Sequence, residues 1–373
     1  MNFLPYAKHS LDESDIESVI QTLRGDSLTQ GCRVAAFEIA LSGVTGAPYV
    51  VAVSNGTAAL HLACLAAGLK PGDIGVTSAV TFVASANAIR YVGATPSLAD
   101  INPETGLISL QSLQRAAKFP KVIIPVDLTG SIPDLPAIET WAKSIDAIVI
   151  EDAAHALGAT YTYEGKVYKA ASCVHTDMAI LSFHPAKQIT TGEGGAICTR
   201  DKKLYEKLLE LRSHGITRDP KKLMHNDCPW YYEQQSLGFN YRISDIQCAL
   251  GLSQLIKLDG FIKRRREIAA RYDEAFSKQC LRVPLGVDSA YHLYVIQVPN
   301  RRYVYEELLK NNIGSQVHYI PVYKQPDYMQ FGTYELPGAE KYYSGCLSLP
   351  MFPSMQNSDV NYIIDTLKNI LYR

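Results

Sequence analysis

Short apolar runs recur along the first two hundred residues of this chain, and a helical pattern follows most of them. Tyr49–Val53 leads to a helix from Ala58 to Ala67. Ile74–Val76 leads through Thr81 and Phe82 to a helix that includes Ala88 and Ile89, and Thr95–Leu98 follows. Lys121–Val126 leads to a helix near Leu135–Ala142, and then comes Ala147–Ile150. Apolar runs this short, with no polar alternation, predict strands covered on both faces. Alternation with helices predicts an α/β fold whose sheet is mainly parallel. Ligands in such sheets bind beyond the carboxyl ends of the strands. Two further runs, Met178–Leu181 and Ala196–Cys198, bracket a polar turn from Ser182 to Gly195, which this pattern places at a sheet edge.

The flanking segments are helical or mixed. Residues 10–24 place Ile16, Val19, Ile20 and Leu23 on one helical face, with Ser10 or Asp12 as the cap and Gly25 as the stop. A second helix, Arg33 to Leu41, carries Val34, Phe37 and Leu41. Beyond residue 200, Lys202–Leu211 is helical, and Asp219–Gln235 reads as a long loop of the kind that serves as a lid. Helices resume from Ser244 to about Phe276. A strand at His292–Val298, a helix at Tyr303–Asn311, a strand at Gln316–Tyr319 and a closing helix at Val360–Leu371 complete the chain. A length of 373 residues suggests two domains, with 1–250 as one and 251–373 as the other. Lys+Arg 36 against Asp+Glu 37 gives no broad attraction to nucleic acid or an anionic membrane. The basic run Lys263–Arg266 lies on a helical pattern and reads as a solvated face. Eight scattered cysteines form no CxxC pair and fit reduced, packed thiols, so Cys173 and His175 are not read as metal ligands. With no signal-like segment and no membrane-length apolar run, the expectation is a cytoplasmic protein.

Three features point to one cofactor. Lys187 sits alone among Ser, Thr, His and Gly in the polar turn, where desolvation would make it a nucleophile able to form a Schiff base with a carbonyl. Glu151 and Asp152 end an apolar strand. Ser54-Asn55-Gly56-Thr57 carries a strand into a helix and so gathers free N–H groups and a positive dipole end, as an anion site does. It matches neither the P-loop nor the dinucleotide pattern. Pyridoxal phosphate needs a lysine, a carboxylate for its pyridinium nitrogen and an anion cup for its phosphate. An aromatic such as Phe82 could cover the ring.

The chain resembles the DegT/DnrJ/EryC1/StrS nucleotide-sugar aminotransferases over nearly its whole length. The resemblance rests on Leu28-Thr-Gln-Gly31, Gly56-Thr-Ala-Ala-Leu60, Thr81-Phe-Val-Ala84, Glu151-Asp-Ala-Ala-His155-Ala-Leu-Gly158, Ser182-Phe-His-Pro-Ala-Lys187, Thr190-Thr-Gly-Glu-Gly-Gly195, Arg212-Ser-His-Gly215, Gly238-Phe-Asn240-Tyr-Arg242 and Gln316-Val-His-Tyr319. Gln188 and Gly192 depart from the Pro and Ala common in close relatives. The resemblance implies a type I pyridoxal-phosphate fold, a homodimer with shared active sites, and L-glutamate as donor to the C4 ketone of a UDP-linked 4-keto-6-deoxy sugar. It implies that Lys187 carries the cofactor and moves protons, that Asp152 pairs with the pyridinium, and that Phe82 stacks with His155 near the phenolic edge. Gly56, Thr57 and Ser182 would hold the phosphate with Asn240 of a second subunit. Tyr6, Leu28, Thr29, Gln316, His318 and Tyr319, with Ser182 and Asn240, would meet the nucleotide sugar. Within the family, the residues around Lys187 and the Val317-His-Tyr-x-Pro-x-Tyr323 run look most like the branch serving pseudaminic acid. The UDP-4-amino-4-deoxy-L-arabinose and bacillosamine types are the alternatives. A sugar dehydratase of this fold would replace the lysine, often with His, and a non-catalytic binder would be expected to lose Lys187 or Asp152. Both residues are present.

Overall fold

A computed structural model describes residues 3–225, 228–276 and 288–371. The apolar runs become β1 (Tyr49–Val53), β2 (Ile74–Ser78), β3 (Thr95–Ala99), β4 (Val122–Ile124) and β5 (Ile148–Asp152). A hairpin of β6 (Thr160–Tyr163) and β7 (Lys166–Lys169) precedes β8 (Met178–Ser182) and β9 (Gly195–Thr199). Seven of these form one sheet in the order β1-β9-β8-β5-β4-β2-β3. The five strands from β8 to β3 run parallel, and β9 runs antiparallel to both β8 and β1. The polar turn between β8 and β9 therefore lies at strand ends inside the sheet, not at its edge. β9 returns directly along β8 in a register that pairs Ser182 with Gly195, and β1 then covers it. The lateral edges are β1 and β3.

Helices α1 (Glu13–Leu23), α2 (Cys32–Thr45), α3 (Gly56–Ala66), α4 (Val83–Tyr91), α5 (Leu110–Ala116), α6 (Leu135–Ser144), α7 (Lys202–Arg212), α8 (Asp245–Ile256) and α9 (Leu258–Phe276) belong to this part of the chain. One sheet face packs Phe37, Leu41, Phe183 and Ile262, and the other packs Leu60, Leu62, Ile89 and Leu208. At 25 cal/mol per Å², each such buried side chain contributes roughly 1.5–3 kcal/mol before the cost of ordering it. Asp12, not Ser10, caps α1, and the Asp15 carboxylate returns a bond to the Asp12 N–H. The expected apolar face of α1 is not its packed face. Asp15 is buried, while Ile16 and Leu23 are 46% and 53% exposed. Polar bonds turn the helix this way: Ser18 Oγ donates to the Ala249 carbonyl at 2.8 Å, and Gln254 Nε2 donates to Asp15 at 2.9 Å.

β10 (Ile216–Thr217), just ahead of the long loop, pairs with β11 (Glu233–Gln234) near the loop's end, and residues 226–227 lie outside the described set. The last part of the chain holds β12 (Tyr294–Gln297), α10 (Arg301–Lys310), α11 (Pro337–Gly345), β13 (Cys346–Leu349) and α12 (Asn357–Leu371). β12 and β13 pair antiparallel over a core that includes Tyr272, Tyr294, Leu308 and Leu367. The strand expected at Gln316–Tyr319 does not form. Only Gln316 pairs, as an isolated bridge to Ser348, because His318 and Tyr319 turn their rings into the cavity described next. Among the described residues no helix is long and apolar enough to cross a membrane.

Candidate active site

The carboxyl ends of β5 and β8 and the start of α3 open into one cavity of about 1050 Å³. Lys187 stands at its base, six residues past the apolar run that ends at Leu181. Its amine is desolvated, and burial lowers its pKa to about 8 although the nearby Asp152 charge opposes the shift. Asp152, the last residue of β5, is buried. Its Oδ2 accepts from Ser85 Oγ at 2.6 Å and its Oδ1 from the Ala154 N–H at 3.2 Å. Burial raises its pKa, and these donors and the Lys187 charge pull it back. Behind it, Asp127 and Glu151 form a buried acidic pair: burial and mutual repulsion push Asp127 well up, and burial takes Glu151 to about 7.

The strand-to-helix turn at Asn55–Thr57 forms where the sequence placed it, and α3 starts on the cavity wall. Asn55 caps α3 by accepting from the Ala58 N–H at 2.8 Å, which leaves the Gly56 and Thr57 N–H groups of the first turn facing the cavity. A Cβ on Gly56 would lie 3.0 Å from the Ser182 Cβ, tight enough that a side chain there would push α3 and Ser182 apart by a few tenths of an ångström. Phe82, the residue before α4, leaves its ring 56% exposed on the cavity wall. This donor set fits pyridoxal phosphate: a nucleophilic amine, a buried carboxylate, a glycine-lined helix start and an open aromatic face.

His155 is buried, and burial together with the Lys187 charge holds it neutral. Its Nδ1 accepts from the Thr129 N–H at 3.3 Å, so the ring proton sits on Nε2, which donates to the Tyr319 hydroxyl at 3.2 Å. His318 bonds Ser348 Oγ at 2.8 Å and packs on Tyr6 with ring centroids 5.2 Å apart; burial lowers its pKa to about 3. Tyr6, Gln316, His318 and Tyr319 all line the cavity, as do Ser182 and Thr57. Leu28, Thr29 and Asn240 do not. All three are exposed, with Thr29 bridged to Ser244 and Asn240 to Ser213.

Sequence reasoning missed several groups. Ser85 lies one helical turn past Phe82 and orients Asp152. His292 lies just ahead of β12, with Nε2 3.5 Å from Lys187 Nζ and its ring centroid 4.2 Å from that of His155. Arg265 corrects the reading of the basic run as a solvated face, because it is 1% exposed. Its guanidinium donates to the carbonyls of Met351 at 3.0 Å, Tyr291 and His292 at 3.3 Å, and Lys187 at 3.5 Å. Its spacing from Leu258, Ile262 and Ile268 on the buried side of α9 was the available signal. Gln188 is also buried and donates to the carbonyl of His155, so this departure touches the site's main chain.

The fold and this donor set define the class, a pyridoxal-phosphate-dependent transferase of α/β architecture. The chain belongs to the DegT/DnrJ/EryC1/StrS aminotransferase family, whose profile matches residues 9–368. Members of this family are pyridoxal-phosphate-dependent aminotransferases, and this chain is such an enzyme. It is 38% identical to the spore coat polysaccharide biosynthesis protein SpsC of Bacillus subtilis, over 99% of this chain and 97% of that one. It is 36% identical to the UDP-4-amino-4,6-dideoxy-N-acetyl-β-L-altrosamine transaminase of Campylobacter jejuni, with the same coverage. The solved structure of Helicobacter pylori PseC, an aminotransferase of pseudaminic acid biosynthesis, superposes with a TM-score of 0.91 at 31% identity and covers all of both chains.

Proposed function

We propose that the chain moves the amino group of L-glutamate to C4 of a UDP-linked 4-keto-6-deoxy N-acetyl hexose, giving UDP-4-amino-4,6-dideoxy-N-acetyl-β-L-altrosamine. The observation that carries the reading is the Lys187 amine, set close to Asp152 and His292 in a cavity of about 1050 Å³, a volume at the upper end for a single small-molecule site. The names of the Campylobacter and Helicobacter relatives support the sugar. In this reading Gly56, Thr57 and Ser182 take the phosphate, Phe82 covers the ring, Asp152 holds the ring nitrogen protonated and His155 stands by the phenolic edge. When bound, pyridoxal phosphate supplies an aldehyde that takes up the donor's nitrogen and an electron-poor ring that drains charge from the adjacent carbon. Lys187 holds the cofactor at rest, then takes the proton from the donor's Cα and later delivers one to C4 of the sugar.

Tyr6, Gln316, His318 and Tyr319 meet the nucleotide sugar from the same chain. Leu28, Thr29 and Asn240 serve the cavity of a second copy, so the working unit is a homodimer, acting in the cytoplasm. Residues 1–250 form the cofactor domain and 251–373 the smaller one, with α9 bridging them: its Ile262 packs on the large sheet and its Tyr272 in the separate core. A second reading, in which a different UDP-4-keto sugar is the acceptor, stands beside it, because SpsC is at least as similar to this chain and its name ties it to a polysaccharide without naming this sugar. The test is to incubate enzyme, L-glutamate and candidate UDP-4-keto sugars and to read products by mass and NMR. A 4-amino sugar with the altro configuration supports the first reading. Turnover only of another 4-keto sugar overturns it.

A further inference from the structure

His292 has no part in the chemistry proposed above, yet it touches the reacting amine. Its ring is 4% exposed, and Nε2 stands 3.5 Å from Lys187 Nζ. Nδ1 is buried and has no hydrogen-bond partner among the described residues. Arg265 clamps the pair by donating to the main-chain carbonyls of both Lys187 and His292. The other groups facing Lys187 are Asp152 at the end of β5, His155 just beyond it, and His318 and Tyr319 from the 316–320 segment. Asp152 is the one anion among them, and it favours the ammonium.

Two tautomers of neutral His292 give opposite results. With its proton on Nδ1, the ring accepts from a Lys187 ammonium through Nε2 but leaves a buried N–H with no acceptor. With its proton on Nε2, it donates to the lone pair of a neutral amine and leaves only a bare nitrogen at Nδ1. Orphaned buried N–H groups are rarer and costlier than under-used acceptors. A charged His292 is opposed by burial first, and then by the neighbouring His155, Lys187 and Arg265. We propose that His292 sets the proton state of Lys187, holding the free lysine as a neutral amine that receives a hydrogen bond from Nε2–H. The proposal rests on the reading of Lys187 as the reacting amine.

The test uses the full-length protein stripped of cofactor. Labelling of Lys187 by an amine-reactive acyl reagent is followed against pH by peptide mass, in wild type and in His292→Phe, His292→Gln and His292→Asn. Phe keeps the ring volume and loses the donor. Gln places an amide N–H where Nε2 stood, and Asn is too short to reach. The expected result is a labelling midpoint raised by about one pH unit in the Phe and Asn variants, a tenfold loss of neutral amine at fixed pH, with Gln close to wild type. A depressed wild-type midpoint that does not move in Phe or Asn overturns the role of His292 and leaves the proposed function standing. A wild-type midpoint at the ordinary lysine value overturns both.

Discussion

Lys187 and Asp152 carry the proposed chemistry at the scale of single residues. Lys187→Ala should keep the melting temperature of the cofactor-free protein near wild type and lower transamination by at least about 10²–10⁴-fold, the worth of a positioned proton carrier. Steady-state assay beside thermal melting checks both halves. The same lysine makes stability depend on pH. Its folded pKa of about 8 lies below the unfolded value of 10.5. Between those values the unfolded chain binds more protons, so this group makes cofactor-free stability rise as pH climbs from 8 towards 10.5. Lys187→Met should flatten the slope of unfolding free energy against pH in that window, as read by urea titration. Both residues were legible because each sits in a short motif at a strand end. Ser85 and His292 were not, since each acts through a neighbour that only the fold supplies.

At the scale of elements, α9 holds the lysine turn against β12 through one buried arginine. Arg265→Leu leaves four carbonyls without that donor and should cost roughly 2–4 kcal/mol, at about 1.5–3 kcal/mol for a hydrogen bond to a charged group, partly recovered by the apolar replacement. Chemical denaturation measures it. The run Lys263–Arg266 read as a solvated face because charge dominates its composition, whereas burial follows the helical period. The strands of the main sheet were legible because an unbroken apolar run has few places to go. α1 was misread for the opposite reason. Its apolar stripe is real, but Asp15 and Ser18 bind α8 and turn the stripe outward. Gln316–Tyr319 has strand composition, yet its rings serve the cavity rather than a ladder.

At the scale of the whole molecule, the exposed Leu28, Thr29 and Asn240 reach a ligand only through the second copy of the proposed dimer. Mixing Lys187→Ala and Asn240→Ala proteins under conditions of subunit exchange should restore roughly a quarter of wild-type activity, from random pairing with one intact site per mixed dimer. No recovery would mean that each chain works alone. The overall α/β order and the cofactor were legible from the sequence, while a dimer is expected through the family resemblance alone, because nothing in one chain's periodicity says which exposed face is covered. At the centre of the proposed chemistry, this chain holds pyridoxal phosphate on Lys187 and exchanges an amino group through it. Visible absorbance of the purified protein, before and after L-glutamate alone, tests that most directly. The expected result is a yellow band that bleaches with glutamate and returns when a UDP-4-keto-6-deoxy sugar is added. A protein that shows no band after addition of pyridoxal phosphate, or a band that no amino donor bleaches, contradicts it.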